Sequence, residues 1–147
     1  MYRKTIQIDH LIPTGSTVCK NIQASLARQS DHTVPPVHVI RHPKKDGYYF
    51  LYDGHNRVYY AANHGEEKIR ADVLETIDEI VENGGPYFQL GNSQLTVELE
   101  GLLRTEKELA VCGIRHILHL ALGETDEPSE NFSEELGRAD ESRKSLG

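Results

Sequence analysis

The sequence predicts an α/β fold of the α+β kind, in which a small mixed sheet is flanked by helices and followed by further helices. Three observations predict it. Segments with the patterns of strands and of amphipathic helices alternate over residues 1–75. An Asp46-Gly47 pair, a strong hairpin signal, separates two of the strand-like segments. Beyond Leu74 the apolar residues recur at helical spacing.

The N-terminal segment is predicted to form a strand and then a helix. Ile6 and Ile8 alternate with polar residues up to Pro13, which is typical of a half-buried strand. Over residues 17–29 the apolar positions recur at helical spacing. We therefore expect one amphipathic helix there.

The central segment contains the hairpin and a second helix. Pro35-Pro36 imposes an extended backbone before the hairpin, because proline excludes its predecessor from the helical region. The elements predicted from there are strands over 37–40 and 48–52, a helix over 55–64 closed by Gly65, and a strand over 69–74.

The remaining chain is predicted to be helical and then disordered. Helices are expected over 76–82, from about Ser93 onward, and over 114–122. Residues 124–147 are acidic and nearly free of apolar side chains, which predicts a disordered appendage. The expected organisation is a core domain over 1–75, a helical extension packed on it over 76–123, and an acidic tail over 124–147.

Length and composition favour a cytoplasmic protein. The 147 residues suffice for one domain with a sizeable core. No apolar run approaches the roughly 18 residues of a membrane span, and the N-terminus lacks the apolar stretch of a signal peptide. Cys19 and Cys112 are far apart and are expected to be buried, reduced thiols. We therefore expect no membrane partner.

The charge is distributed unevenly along the chain. The net charge is −7, yet residues 1–70 carry ten Lys or Arg against six Asp or Glu. A protein that neutralises many DNA phosphates ordinarily presents a basic face, and this chain as a whole is acidic. Nucleic acid is therefore not the favoured partner, whereas the basic half suits one small anionic ligand.

The sequence from Asp53 to Arg57 predicts a phosphate-binding turn. A strand is expected to run through Asp53-Gly54 directly into a helix, whose first backbone N–H groups have no partners within the helix. Those groups and the helix dipole favour an anion at this point, and Gly54 allows the anion to approach closely. Arg57 is placed to add a bidentate contact to phosphate oxygens.

The other side chains of the turn have several possible roles. His55 and Asn56 offer hydrogen-bond donors, and Asp53 offers a metal-coordinating oxygen or a base near a hydroxyl. A purely structural interpretation stands beside this one: Asp-Gly is a common turn pair, Arg57 can simply pair with Asp53, and Asn56 can cap a helix. His116 and His119 are spaced like a metal pair, but no third ligand has suitable spacing and zinc is not favoured.

The order of these motifs resembles the ParB/sulfiredoxin superfamily over about residues 6–75. The residues that carry the resemblance are Thr33-Val34-Pro35-Pro36-Val37-His38-Val39, the run from Tyr48 to Arg57, Tyr60-Ala61-Ala62 and Ile69-Arg70-Ala71. The resemblance implies a nucleotide-phosphate site at a turn that opens a helix. It also implies that the first helix faces this site, so that Asn21 and Ser25, one helical turn apart, are candidate phosphate or nucleotide ligands, with an exposed helix surface as the alternative.

The motif differs between branches of this superfamily. Sulfiredoxins have Gly-Gly-Cys-His-Arg, so His55 stands where their catalytic thiol lies, and reduction through a thiol intermediate is not expected here. Partition proteins of the ParB type have an Arg-rich box, whereas this chain has the single Arg57. The Asp-Gly-His-x-Arg form is more similar to the branch with free-serine kinases and ParB-like nucleases. In that branch the resemblance implies that Asp53 and His55 work beside the phosphates.

Two functions remain open from the sequence. The first is an enzyme, either a Mg²⁺-dependent phosphotransferase or a nucleotide hydrolase, that uses ATP or another nucleotide. A phosphotransferase would also bind a small hydroxyl-bearing substrate. Asp53 and His55 would be its catalytic residues, with Asp53 also as metal ligand, and Gly54, His55, Asn56 and Arg57 its phosphate ligands. The second is a ParB-like DNA-binding or nuclease component that uses the same turn as a nucleotide switch.

Overall fold

The computed structural model describes residues 1–29, 35–88 and 94–123. The predicted acidic tail over 124–147 lies outside the described residues. So does the Thr33-Val34 part of the stretch that carries the family resemblance.

Seven strands and four helices form the described chain. The strands are β1 Tyr2–Gln7, β2 Leu11–Pro13, β3 Thr17–Cys19, β4 Val37–Arg41, β5 Tyr49–Asp53, β6 Lys68–Val73 and β7 Ala121–Gly123. The α-helices are α1 Lys20–Ala27, α2 His55–Asn63, α3 Ile77–Glu82 and α4 Leu95–Val111, and short 3-10 turns occupy Ile8–His10 and Ile117–His119.

Five strands form one mixed sheet in the order β1-β6-β4-β5-β2. The β4–β5 pair is the predicted antiparallel hairpin, and β2 joins β5 in parallel. Strands β3 and β7 form a separate two-stranded parallel sheet. The mixed sheet with flanking helices confirms the predicted fold class.

Each face of the large sheet has its own core. On one face, β-sheet residues pack with Val58 and Ala61 of α2 and with Ile117 and Leu120 near the C-terminal end of the described chain. On the other face, Phe50 and Leu74 pack with Ile80 of α3 and Leu102 of α4. The alternation of side chains along β5 supplies both cores, because successive residues of a strand point to opposite faces.

Helix α4 is fixed to the sheet through a buried carboxylate. Glu98 is fully buried and accepts hydrogen bonds from the Tyr52 hydroxyl, from Tyr87 N at 2.8 Å and from Phe88 N at 3.1 Å. Burial and the neighbouring Glu98 carboxylate raise the pKa of Tyr52 well above its usual range, so the phenol remains a donor. Glu98 therefore links α4, the sheet and the 87–88 segment.

The strand expected up to Pro13 is interrupted by the 3-10 turn Ile8–His10, which separates β1 from β2. Two helix predictions were also wrong. Residues Thr17–Cys19 form a strand, and α1 starts only at Lys20, because this segment pairs with Ala121–Gly123. The expected helix over 114–122 is a 3-10 turn followed by that same strand β7. Both errors have one cause: apolar spacing in a short segment does not reveal a strand partner about 100 residues away.

The two cysteines differ in their exposure. Cys19 is buried as expected, whereas Cys112 is exposed because it lies just beyond the last turn of α4. Within the described ranges, the helices are too short or too polar for one of them to cross a bilayer.

Candidate functional site at the start of helix α2

The candidate site is the 53–57 turn, where β5 ends and α2 begins. Gly54 has a φ of +110°, in the left-handed region that side chains rarely adopt. A Cβ at this position would lie 2.5 Å from Val37 Cγ1. Glycine is therefore required both by the backbone angle and by the close approach of β4.

The backbone of the turn exposes the donors that the sequence predicted. The first hydrogen bond of α2 is Val58 N to Gly54 O at 3.0 Å. In the described part of the chain, the N–H groups of residues 55–57 have no acceptor. With the positive end of the helix dipole, they form a local site for an anion.

The Arg57 guanidinium lies at the turn but already has partners. Its Nη2 is 3.1 Å from Asp53 Oδ2, and its Nη1 is 2.8 Å from the carbonyl oxygen of Pro36 and 3.4 Å from that of Pro35. Arg57 thus makes the ion pair of the structural alternative. It also fastens the 35–36 segment to the start of α2.

Asp53 is held by two donors on the same oxygen. Besides Arg57, the His38 Nδ1 atom lies 3.1 Å from Asp53 Oδ2. Among the described residues, Oδ1 of Asp53 has no hydrogen-bond partner, and the side chain is 46% exposed. One carboxylate oxygen is therefore fixed, while the other has no partner among the described residues and belongs to a half-exposed side chain.

His55 is held as a neutral imidazole. Its Nε2 accepts the backbone N–H of Thr14 at 2.9 Å, while the Thr14 hydroxyl donates to Leu51 O at 2.7 Å. Burial lowers the pKa of His55 to about 4, against the opposing effect of the Asp53 charge. Because Nε2 is an acceptor, the ring proton resides on Nδ1, so His55 is a donor at that atom.

Asn56 connects the two helices that flank the turn. Its Oδ1 accepts the backbone N–H of Cys19 at 2.7 Å, and its carbonyl oxygen accepts Gln23 Nε2 at 2.8 Å. The amide oxygen therefore satisfies a donor at the start of α1 rather than within its own helix. Its backbone N–H remains directed with the other two at the start of α2.

Among the described residues, the remaining candidates make no hydrogen bond to the turn. Asn21 and Ser25 lie on α1 and are both exposed, which agrees with the alternative interpretation given for them. The α1 side chain that reaches α2 is Gln23. The Nδ1 atoms of His116 and His119 accept backbone N–H groups, and the described residues contain no cluster of three or more potential metal ligands.

Three contributors were missed at the sequence level: His38, Thr14 and Gln23. A signal existed for His38, because a hairpin that turns near Asp46-Gly47 places His38 opposite Asp53. Thr14 and Gln23 had no such signal, since their contacts depend on how β2 and α1 pack against α2.

A separate cavity of about 240 Å³ lies beside β2. It is lined by residues of the first 3-10 turn, β2, the hairpin, the second half of α4 and the segment after α4, including Asp9, Lys45, Glu106 and Arg115. None of the residues of the 53–57 turn lines it. The cavity and the turn are therefore distinct features.

Comparison with solved structures places this geometry in a known kind of fold. Protein Atu1540 from Agrobacterium tumefaciens matches with a TM-score of 0.50 and 19% identity, over 83% of this chain and 62% of that one. This chain therefore shares the fold of that protein over most of its length. At this identity the likeness concerns the fold alone.

Two further solved structures match with lower TM-scores. The chromosome-partitioning protein ParB from Caulobacter crescentus, solved with CTP-gamma-S, matches with a TM-score of 0.44 and 16% identity, over 75% of this chain and 61% of that one. A free serine kinase solved with ADP matches with a TM-score of 0.42 and 14% identity, over 78% of this chain and 66% of that one. The chain thus spans less than two thirds of each of these proteins. No family model and no curated protein matches it.

Proposed function

We propose that the chain binds a nucleotide through the 53–57 turn and supports Mg²⁺-dependent phosphoryl transfer or nucleotide hydrolysis there. The observation that carries the proposal is the group of three backbone N–H donors at residues 55–57, which have no acceptor in the described ranges. Buried or half-buried N–H groups are rarely left unpaired. A phosphate that approaches over Gly54 would supply the missing acceptors.

Arg57 adds to this site by exchanging one anion for another. A phosphate accepts the planar guanidinium in a bidentate manner and carries more charge than a carboxylate. Its oxygens would replace Asp53 Oδ2 at Nη2, while Nη1 keeps its contact with Pro36 O. Because an existing ion pair is given up, the backbone donors supply a large share of the net affinity.

The residues present suit a magnesium ion bound together with the nucleotide. Mg²⁺ prefers oxygen ligands and is commonly held by one or two carboxylates plus substrate phosphates. The open Oδ1 of Asp53 is one such ligand, and the described chain offers no all-protein metal cluster that would compete with it. When bound, the metal would neutralise charge on the phosphates.

His55 and Asp53 have different roles in the proposed reaction. His55, neutral and protonated at Nδ1, acts as a hydrogen-bond donor to developing negative charge rather than as a base, since its Nε2 already accepts Thr14 N–H. Asp53 orients the attacking hydroxyl, either of water or of a small substrate. Positioning and charge neutralisation are the main demands of such a reaction.

A thermal-shift panel tests nucleotide binding directly. ATP, ADP, CTP and a DNA duplex are each added with and without Mg²⁺; the panel starts from nucleotides because the ParB and serine kinase structures contain them. At a hundredfold excess over Kd a ligand stabilises the folded chain by about 2.7 kcal/mol. We expect nucleotides with Mg²⁺ to produce this shift.

The variant Arg57→Lys examines the site in the same panel. Lysine keeps the positive charge but lacks the planar guanidinium that can donate two parallel hydrogen bonds to a phosphate. We therefore expect about tenfold weaker nucleotide binding. Arg104→Lys, on the exposed surface of α4, is the matched control and should bind like the wild type. Stabilisation by DNA alone, with a steep salt dependence, would favour a nucleic-acid function instead. No shift with any nucleotide would refute the proposal.

A further inference from the structure

Asp53 Oδ2 receives hydrogen bonds from two sides of the molecule. Arg57 Nη2 approaches it from helix α2 and His38 Nδ1 from strand β4, both at 3.1 Å. A carboxylate is only an acceptor, so His38 must donate through a protonated Nδ1. The two donors differ in kind: one is a long, charged side chain and the other is a short ring on the sheet.

The sheet fixes the position of His38. It lies opposite Asp53 in the β4–β5 register, with a register irregularity between His38 and Val39. Its neighbours Val37 and Val39 are fully buried, and its own side chain is only 20% exposed. The ring is therefore held beside Asp53 by the backbone of a central strand.

In the proposed function, a bound phosphate competes with Asp53 for Arg57 but not for His38. A bound phosphate would take Nη2 of Arg57 from Asp53, since both anions use the same guanidinium edge. The freed carboxylate would then stand beside a like charge and be repelled by it. His38 would remain as the described donor that still holds Oδ2.

We propose that His38 is a positioning residue that keeps the open oxygen of Asp53 directed at the nucleotide-bound metal once Arg57 has turned to the phosphates. This inference deepens the proposed function and rests on it. His38 touches neither nucleotide nor metal in this arrangement. It acts through Asp53, as outer partners of metal-binding carboxylates do.

The test compares variants with and without a donor at this atom. In His38→Asn the Nδ2 atom is the same number of bonds from the backbone as Nδ1 of histidine, so the variant can retain the hydrogen bond to Asp53. His38→Ala removes it, and His38→Leu removes it while filling most of the space. His64→Ala, on the exposed end of α2, is the control. Circular dichroism and thermal unfolding select the variants that are folded.

The readout is the Mg²⁺ concentration that gives half-maximal ADP binding, measured by calorimetry, beside the ADP affinity in EDTA. We expect the two donor-free variants to need about tenfold more Mg²⁺ with an unchanged affinity in EDTA, and His38→Asn to resemble the wild type. Equal Mg²⁺ requirements for all folded variants would overturn the role of His38 while nucleotide binding stands. Equal losses in Asn and Leu variants would also overturn it. If the wild type bound none of ATP, ADP and CTP, with or without Mg²⁺, both proposals would be refuted.

Discussion

At the scale of single residues, the 53–57 turn combines a permissive backbone with side chains that are already engaged. Gly54 accommodates a positive φ and the close approach of Val37, whereas Arg57 and Asp53 form an ion pair. The pair is nevertheless reversible, because Asp53 is 46% exposed and surface ion pairs contribute about 1 kcal/mol or less. The modest strength of this ion pair is compatible with the anion exchange that we propose for Arg57.

Replacing Gly54 tests how tightly the turn is built. In Gly54→Ala the methyl group would lie 2.5 Å from Val37 Cγ1 on a backbone with φ of +110°. We expect the free energy of unfolding to fall by about 2–4 kcal/mol from overpacking and strain together. Gly65→Ala, also at positive φ but with no atom within 4 Å, is the control and should lose only about 1 kcal/mol. Urea unfolding measures both; equal losses would contradict the packing argument.

His55 predicts a pH dependence of stability. Its pKa is lowered by burial to about 4 in the folded chain, while an unfolded chain has the ordinary value of about 6.5. The unfolded state therefore binds more protons between these values, so stability is complete above pH 6.5 and is lost as the pH falls toward 4. Because one pKa unit corresponds to about 1.4 kcal/mol, we expect a loss of about 3 kcal/mol by pH 4, measured by urea unfolding at each pH.

His55→Gln is the variant for that measurement. The glutamine side chain offers an acceptor for Thr14 N–H but does not titrate, so its stability should vary less between pH 6.5 and 4. His64→Gln, at an exposed position, should keep the wild-type dependence. An unchanged slope in His55→Gln would mean that other groups carry the effect.

At the scale of elements, the sequence predicted the elements that local signals define but not the strands that depend on long-range pairing. The β4–β5 hairpin and α2 follow from short-range chemistry, namely the Asp46-Gly47 turn and the glycine at each end of the helix. Helix α3 is likewise preceded by Thr76 as N-cap, which forms a capping box with Glu79. Strands β3 and β7 were not predicted, because each is defined by the other.

Helix α4 depends on one buried carboxylate. In Glu98→Gln the amide nitrogen would face a backbone N–H or a phenol donor, leaving a buried donor without an acceptor. The expected loss is about 1–3 kcal/mol of unfolding free energy. Glu100→Gln, exposed on the same helix, should change stability by about 0.5 kcal/mol or less. Thermal unfolding distinguishes them, and similar midpoints would show that the Glu98 contacts contribute little.

At the scale of the whole molecule, the two ends of the described chain meet in one core. Ile6 and Ile8 near the N-terminus pack in the same cluster as Ile117 and Leu120. The C-terminal segment also completes a sheet with β3, directly before the helix that contacts Asn56. The segment after α4 thereby supports the surroundings of the turn.

Truncation of the Ile117 side chain measures how much the packing of the C-terminal segment contributes to stability. Ile117 is fully buried, so Ile117→Ala should cost about 2–4 kcal/mol through lost burial and a cavity. Leu118→Ala, 45% exposed in the adjacent position, should stay within about 0.5 kcal/mol of the wild type. If both variants unfold at the same urea concentration, the C-terminal segment is not part of the cooperative core.

Local sequence was enough to predict the fold class, the hairpin and a strand-to-helix turn at Asp53-Gly54, because periodicity and turn residues act over a few positions. Tertiary structure alone decided that Arg57 pairs with Asp53, that His55 gives up Nε2 to Thr14, that His38 joins the turn, and that Asn21 and Ser25 face solvent. The reason is that a repeating pattern identifies which face of an element is buried but not which distant group meets it. Hydrogen-bond partners are chosen by that packing.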